Sequence, residues 1–200
     1  MFATDKLKIA VLVSGRGSNL QSIVDACRSG EINADTVLVL SDNSKAKALE
    51  RARNQSIKSK VLQRKNYDDV ATYDVALSDA VEESGADLVC LAGFMRILSK
   101  KFIHRFDGNI INVHPSLLPS FPGLAAQRQA LDHGVKVSGC TVHFVDEGVD
   151  TGPIIIQSCV PVMPRDTVES LSARILEQEH IIYPKAIQMI ASGEVKRWLG

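Results

Sequence analysis

A polar pair at the end of an apolar run is the first feature of this chain that suggests chemistry. The segment 110–119 presents Asn112 and His114 two residues apart, directly before Pro115. Side chains alternate along a strand, so both are predicted to lie on one face. Pro115 has no N–H for strand pairing and favours a strand end there. An amide beside an imidazole suits a site that handles an acyl oxygen, and a histidine that only caps a loop is the alternative.

The elements that must position this pair follow an alternating pattern. Short β-rich runs alternate with helical patterns, which is typical of an α/β fold with a mostly parallel, twisted, Rossmann-like sheet and helices on both faces. Gly30 and Gly85 occupy positions typical of helix C-terminal glycines. The predicted strands lie near 8–14, 35–41, 58–63, 86–92 and 109–114, and the predicted helices near 18–29, 44–54 and 67–84.

The rhythm changes in the C-terminal half. A short helix is predicted near 125–133, and a long helical segment near 167–192. Two further strands, near 138–145 and 153–162, have no helix between them, so they are predicted to pair antiparallel. We expect a single domain over 1–200.

Composition restricts the class of protein. Hydrophobic residues make up 45% and charged residues 23%, which is ordinary for a soluble globular domain. Lys plus Arg equals Asp plus Glu at 23 each, without a basic block, which argues against nucleic-acid binding. Low net charge near neutral pH permits self-association, so either a monomer or a homodimer is expected. No apolar stretch is long enough for a membrane span. The N-terminus lacks a signal peptide's apolar region and the four cysteines form no CxxC pair, so a cytoplasmic location is predicted.

A glycine-rich segment follows the first predicted strand. In 14–21, glycines allow close backbone approach, and the helix beginning near Ser18 offers free N–H groups to an anion. Leu20 replaces the third glycine of a dinucleotide motif, Asp42 is only a weak ribose-binding candidate, and the P-loop lysine is absent. A mononucleotide or sugar phosphate therefore fits better than a dinucleotide or ATP. A tight turn with a helix N-cap is the alternative.

An acidic loop, 145–153, joins the last two predicted strands. It is longer than a minimal hairpin requires and contains Asp146, Glu147 and Asp150. If it folds over the end of strand 109–114, Asp150 reaches His114 and favours the imidazolium form. A solvated acidic turn is the alternative, and the spacing does not match a calcium loop.

A carboxylate interrupts the apolar stripe of the last predicted helix. Glu179 lies between Ile175 and Ile182, where an unpaired charge is costly. It should have a cationic, hydrogen-bonding or ligand partner, with an internal salt bridge as one alternative. Pro184 limits the helical argument to the residues before it. His143 is predicted to be packed and hydrogen-bonded, and no metal site is predicted because the Cys and His spacings match none.

Taken together, these segments resemble the folate-dependent glycinamide ribonucleotide formyltransferase family from about Ile9 to Gly193. The order of several segments is more specific than any one of them. They are SGRGSNLQ (14–21), LAGFMRIL (91–98), INVHPSLLPSFPG (111–123), TVHFVDEGVDTGPI (141–154) and QEHIIYP (178–184).

The resemblance implies formyl transfer from 10-formyltetrahydrofolate, a co-substrate, to the amine of glycinamide ribonucleotide in purine biosynthesis. It implies a phosphate-binding half at about 1–100, a catalytic and folate-binding half at about 101–200, and a cis peptide at Leu118–Pro119. The implied site residues fall into three groups. They are a catalytic trio, Asn112, His114 and Asp150; ribonucleotide-binding Gly17, Ser18, Asn19 and Glu179; and folate-binding Met95, Arg96, Ile97, Leu98, Asn112, Asp146, Glu147, Gly148, Val149 and Asp150.

The sequence departs from the family pattern at two places, and several other functions remain as alternatives. Some family members have an arginine near Val70 that contacts the folate tail, and Arg64 or Lys65 is the candidate substitute here. The helix after Gly123 lacks histidines found in some members. Formyltetrahydrofolate deformylases, methionyl-tRNA formyltransferases and a non-catalytic sugar-phosphate or folate-binding module are the alternatives. Only the last has no need of the trio.

Overall fold

A seven-stranded mixed sheet forms the centre of the molecule, which is described by a computed structural model covering residues 5–196. The N-terminal residues relevant to a signal peptide lie partly outside this range. The strands are β1 (Leu7–Val13), β2 (Ala34–Ser41), β3 (Ser59–Val61), β4 (Leu88–Leu91), β5 (Ile110–His114), β6 (Val137–Phe144) and β7 (Ile154–Pro161). The α-helices are α1 (Ser18–Ser29), α2 (Lys47–Asn54), α3 (Val70–Glu82), α4 (Lys100–Arg105), α5 (Ala126–Asp132) and α6 (Val168–Ala191).

The strand order is β3-β2-β1-β4-β5-β6-β7. The first five strands pair in parallel, whereas β5–β6 and β6–β7 pair antiparallel. The predicted Rossmann-like fold with an antiparallel C-terminal addition is thus confirmed. The chain moves outward from β1 to β3 and returns to the other side of β1 as β4. Ligands bind at such a switch point, beyond the carboxyl ends of the strands.

Two apolar layers cover the sheet because alternate residues of each buried strand face opposite sides. Ile9, Val11 and Val13 pack into a cluster with residues of α1 and α6. Ala10 and Leu12 pack into the other cluster, with residues of α3 and α4. The core therefore holds the carboxyl edge of β1, β4 and β5 in place between helices.

Local differences from the predicted elements have simple causes. The six-residue α4 was not predicted, because it is too short for a periodic pattern and depends on Ser99, whose Oγ accepts from the N–H of Phe102. Pro184 lies inside a continuous α6, since burial there offsets one missing N–H. Gly30 caps α1 in the left-handed region as predicted, whereas Gly85 adopts it three residues after α3 ends.

No helix within residues 5–196 combines the length and the apolar character that a bilayer crossing requires.

Candidate active site

The polar pair lies on β5, at the carboxyl edge of the sheet. Asn112 faces His143 and His114 faces Thr141 across the antiparallel ladder with β6. His114 is buried and Asn112 is partly buried. The strand ends at His114, directly before Pro115, as predicted. The peptide bond Leu118–Pro119 that follows is cis, which the family resemblance implied.

Asp150 reaches His114 as predicted. Its Oδ2 lies 3.2 Å from His114 Nδ1 and accepts the backbone N–H of Gly123 at 2.8 Å. His114 Nε2 lies 2.9 Å from the carbonyl oxygen of Phe121. A carbonyl oxygen only accepts, so Nε2 carries a proton and donates it to Phe121. Both ring nitrogens of His114 therefore have an oxygen within reach.

The ionised form of Asp150 is favoured over its protonated form. Burial acts to raise the pKa of Asp150, but the contact with His143, the N–H of Gly123 and the nearby charge of His114 outweigh it and lower that pKa. Asp150 thus remains a carboxylate through the neutral range.

His143 is packed and hydrogen-bonded, as predicted, but it also contacts two members of the trio. Its Nε2 lies 3.2 Å from Asn112 Nδ2 and 3.6 Å from Asp150 Oδ1, and its Nδ1 lies 2.7 Å from the carbonyl oxygen of Phe144. Sequence reasoning missed these two contacts. They follow from the antiparallel pairing of β5 with β6, which was not predicted and which places Asn112 opposite His143.

The glycine-rich turn opens α1 beside the carboxyl end of β1. Gly17 is the N-cap, with φ 71°, and Ser18 and Asn19 begin the helix. A Cβ on Gly17 would lie 2.6 Å from the Cβ of Ala48, so the turn requires glycine for both conformation and space. The first N–H groups of a helix lack intrahelical partners and favour anions.

Glu179 has a hydrogen-bond donor as its partner within residues 5–196. Asn19 Nδ2 donates to Glu179 Oε2 at 2.7 Å, and both side chains are buried. The alternative of an internal salt bridge is wrong for the described part of the chain. Burial raises the pKa of Glu179, and the hydrogen bond from Asn19 opposes that rise only in part.

The segment predicted to bind folate, 95–98, follows β4 and is fixed by polar contacts. The N–H of Met95 donates to Ser14 Oγ at 2.8 Å, and Arg96 Nε donates to Asp42 Oδ2 at 2.8 Å. Arg96 thus engages Asp42 Oδ2, whereas Asp42 Oδ1 is buried without a hydrogen-bond partner among the described residues. Met95 and Ile97 are 71% and 88% exposed, whereas Leu98 is buried. Two large apolar side chains are thus available to a flat apolar ligand.

The acidic loop after β6 is held by contacts of its own. Asp146 Oδ1 accepts from the N–H of Gly148 at 3.1 Å and from Thr151 Oγ1 at 2.7 Å. Glu147 pairs with Lys100 and His104 of α4, and the hydrogen bonds from these two side chains lower the pKa of Glu147. Val149 is exposed at the tip. The loop is therefore not a purely solvated turn, because all three of its carboxylates have partners.

No group of three or more His, Cys, Asp or Glu side chains among residues 5–196 is arranged to hold a metal ion.

The sequence matches the formyl transferase family over residues 7–187. A phosphoribosylglycinamide formyltransferase of Haemophilus influenzae is 45% identical over 94% of this chain and 89% of its own length. A crystal structure of glycinamide ribonucleotide transformylase 1 from Symbiobacterium toebii is 49% identical, with a TM-score of 0.95 over 100% of this chain and 97% of that one. A trifunctional purine biosynthetic protein of Bos taurus is 49% identical over 96% of this chain.

This chain belongs to the formyl transferase family. Within that family it groups with the phosphoribosylglycinamide formyltransferases, which it matches over nearly their whole length. It spans about a fifth of the trifunctional relative, 19% of that protein's length. The resemblance that the motifs indicated is confirmed.

Proposed function

We propose that this protein transfers the formyl group of 10-formyltetrahydrofolate to the amine of glycinamide ribonucleotide, a step of purine biosynthesis. The proposal is supported above all by the position of His114. This side chain lies between the Asp150 carboxylate and the carbonyl oxygen of Phe121, on the same strand as Asn112. An imidazole donor thus lies beside an amide donor at the carboxyl edge of the sheet. Such a pair suits an oxyanion that develops during acyl transfer.

The chemistry requires no covalent enzyme intermediate. The neutral amine adds to the formyl carbon, and the carbonyl oxygen becomes an oxyanion that accepts hydrogen bonds from Asn112 and His114. Each such donor is worth about 3 kcal/mol in comparable sites. Asp150 keeps the imidazole charged and oriented, and a water molecule carries the proton from the attacking nitrogen to the departing folate nitrogen. Alignment of the two substrates supplies the other large contribution.

The hydrogen bond between His114 and Phe121 must be replaced during this reaction. His114 Nε2 donates to the carbonyl oxygen of Phe121 and Nδ1 faces Asp150, so both ring nitrogens are engaged. Donation to the formyl oxygen therefore requires that oxygen to replace Phe121 O. Phe121 and Ala125 both have positive φ values of 56°, an unfavourable conformation for non-glycine residues. We propose that the carbonyl group of Phe121 turns away when the folate binds, while the N–H of Gly123 stays on Asp150.

The binding residues divide between the two halves of the proposed domain, about 1–100 and about 101–200. Gly17, Ser18 and Asn19 hold the ribonucleotide phosphate with free N–H groups, and Glu179 accepts from the amine end. The folate site lies between two segments: Met95, Arg96, Ile97 and Leu98, and the loop Asp146, Glu147, Gly148, Val149 and Asp150.

Binding of the folate tail depends on side chains that differ from some relatives. Val70 is exposed at the start of α3 and offers no charge to a tail carboxylate. Arg64 lies four residues before the acidic pair at 68–69, and its Nη1 donates to the carbonyl oxygen of Tyr67 at 2.7 Å. We propose that Arg64 or Lys65 takes the tail carboxylates.

The proposed partners are the two small substrates, with no role for nucleic acid or membrane, and the protein is a monomer or a homodimer. A cytoplasmic location is supported by four free cysteines, since reducing compartments keep thiols unpaired.

A two-arm assay tests the function. Formylfolate is supplied with and without glycinamide ribonucleotide, and formation of tetrahydrofolate is followed. Transfer predicts release only when the ribonucleotide is present. Release without the amine would instead identify a hydrolase, and no release in either arm would identify a binding protein.

A further inference from the structure

Helix α4 is connected to both of the segments proposed to form the folate site. Segment 95–98 leads directly into α4 through Ser99, whose side chain caps the helix. The loop 146–150 is reached from α4 by two side chains. The helix can therefore set the position of one wall of the proposed pocket relative to the other.

The core and α3 hold α4 in place. Phe102 and Ile103 are buried in the apolar cluster that also contains residues of α3. Arg105 pairs with Asp79 and Glu82 of α3. Burial and these ion pairs fix the six-residue helix to the body of the protein. A loop that is bound to α4 is therefore bound to a fixed support.

Lys100 and His104 extend from α4 to the loop. Positions four residues apart lie on the same face of a helix, and both side chains reach Glu147. His104 Nε2 lies 2.7 Å from Glu147 Oε1, and Lys100 Nζ pairs with Oε2. Each carboxylate oxygen thus has its own partner, which restricts both the position and the rotation of the group. An imidazole with its proton on Nε2 donates whether or not it is charged.

Glu147 connects the first part of the loop to the rest of the protein. Among the described residues, it is the one side chain of the loop's first four whose hydrogen bonds reach another element. The contacts of Asp146 stay within the connection between β6 and β7. Asp150 is held separately, by the N–H of Gly123 and by His114. The contacts of Glu147 can therefore act on folate binding without displacing Asp150.

We propose that Lys100 and His104 are positioning residues for folate binding: through Glu147 they hold the loop 146–150 at a fixed distance from segment 95–98. The proposal rests on the proposed function, because it concerns the folate pocket of that reaction. A pterin ring that binds between the two segments then meets walls that are already in place. Less free energy is spent on ordering the loop when the folate binds.

The exposure of these side chains limits the size of the effect. The side chains of Lys100, His104 and Glu147 are 74%, 67% and 40% exposed, and exposed ion pairs contribute little individually. Lys100→Met removes one partner without adding a charge. It is therefore expected to weaken folate affinity by only about two- to fivefold.

Charge reversal provides a stronger test. The KM values for 10-formyltetrahydrofolate and glycinamide ribonucleotide are measured for the wild type, Lys100→Glu, Glu147→Lys and the double variant, and tetrahydrofolate is titrated calorimetrically. Lys100→Glu places like charges together and is expected to raise the KM for the folate about tenfold. The KM for the ribonucleotide and kcat are expected to stay within about twofold, since Asp150 keeps its own contacts. The double variant restores an opposite pair and is expected to bring the KM for the folate to within about threefold of the wild type.

Two further substitutions separate the contact with Glu147 from other effects. Lys101→Glu adds the same charge at the neighbouring exposed residue of α4 and leaves the pair of Lys100 with Glu147 in place. Its KM for the folate is expected to stay within about twofold of the wild type, which measures repulsion of the anionic folate separately. His104→Gln keeps a side-chain donor and is expected to bind the folate more tightly than His104→Leu. Melting temperatures verify that each variant is folded.

The possible results distinguish the proposal from its alternatives. Equal losses in Lys100→Glu and Lys101→Glu, equal rises in both KM values, or a double variant no better than Lys100→Glu would each overturn it. Wild-type folate affinity in Lys100→Glu would do so as well. The titration of tetrahydrofolate does not depend on which acceptor receives the formyl group. If the wild type itself binds no tetrahydrofolate, the proposed function fails instead.

Discussion

Asn112 Nδ2 lies 3.2 Å from His143 Nε2 across the β5–β6 ladder. His143 Nδ1 lies 2.7 Å from the carbonyl oxygen of Phe144, which only accepts, so Nδ1 carries the proton. Nε2 therefore faces the Asn112 amide and the Asp150 carboxylate. The contact with His143 orients the Asn112 amide and leaves its outer N–H for a ligand oxygen.

From this relationship we expect His143→Leu to lower kcat about ten- to a hundredfold, with smaller changes in both KM values, because the amide of Asn112 loses its orientation. Steady-state kinetics with each substrate varied in turn measure this. His143→Gln retains an acceptor and a donor, so it is expected to keep more turnover than His143→Leu. Equal, wild-type turnover in both variants would show that His143 does not position the amide.

Gly17 and Gly15 lie in the same turn and allow a test substitution to be compared with its control. Gly17→Ala is expected to destabilise the fold by about 2–4 kcal/mol, because a Cβ there meets Ala48 and the backbone has φ 71°. Gly15 has open space around its Cβ position, so Gly15→Ala is expected to stay within about 0.5 kcal/mol. Urea unfolding of the two variants measures the difference. Equal stabilities would contradict the close approach of α2 to the turn.

The raised pKa of Glu179 predicts that the free energy of unfolding depends on pH. Its pKa in the folded protein is raised above the ordinary value of 4.5, so between these two pKa values the folded state binds more protons than the unfolded state. The stability that Glu179 contributes to the folded protein is therefore complete below about pH 4.5. This stability is lost as the pH rises through the pKa that Glu179 has in the folded protein. Glu179→Gln removes this loss and still accepts from Asn19. Its melting temperature is expected to exceed that of the wild type by about 2–4 °C at neutral pH and by less in acid.

Thermal melts over a pH series, with Glu177→Gln as the exposed control, measure this difference. A gap between Glu179→Gln and the wild type that stays constant with pH would mean that Glu179 titrates alike in the folded and unfolded states.

The sequence predicted the fold and the main polar pair because both follow from local patterns. The alternation of side chains along 110–114 predicted that Asn112 and His114 lie on one face of a strand. The absence of a helical pattern between the last two predicted strands indicated that these two strands pair antiparallel. Contacts between segments that are distant in the sequence were harder to predict. Sequence indicated that Glu179 needs a partner but could not name Asn19, because their meeting depends on how α6 packs against α1. The engagement of His114 by the carbonyl oxygen of Phe121 was not predicted either, since it depends on backbone conformation.

We propose that Asn112, His114 and Asp150 act together on one carbonyl group during formyl transfer to an amine. The most direct measurement is single-turnover transfer of a ¹³C-labelled formyl group to glycinamide ribonucleotide by the wild type and Asp150→Asn, with Asp132→Asn as an exposed control. The account predicts that Asp150→Asn melts within a few degrees of the wild type but transfers the label about 10³-fold more slowly. Label transfer at the wild-type rate by folded Asp150→Asn would contradict it.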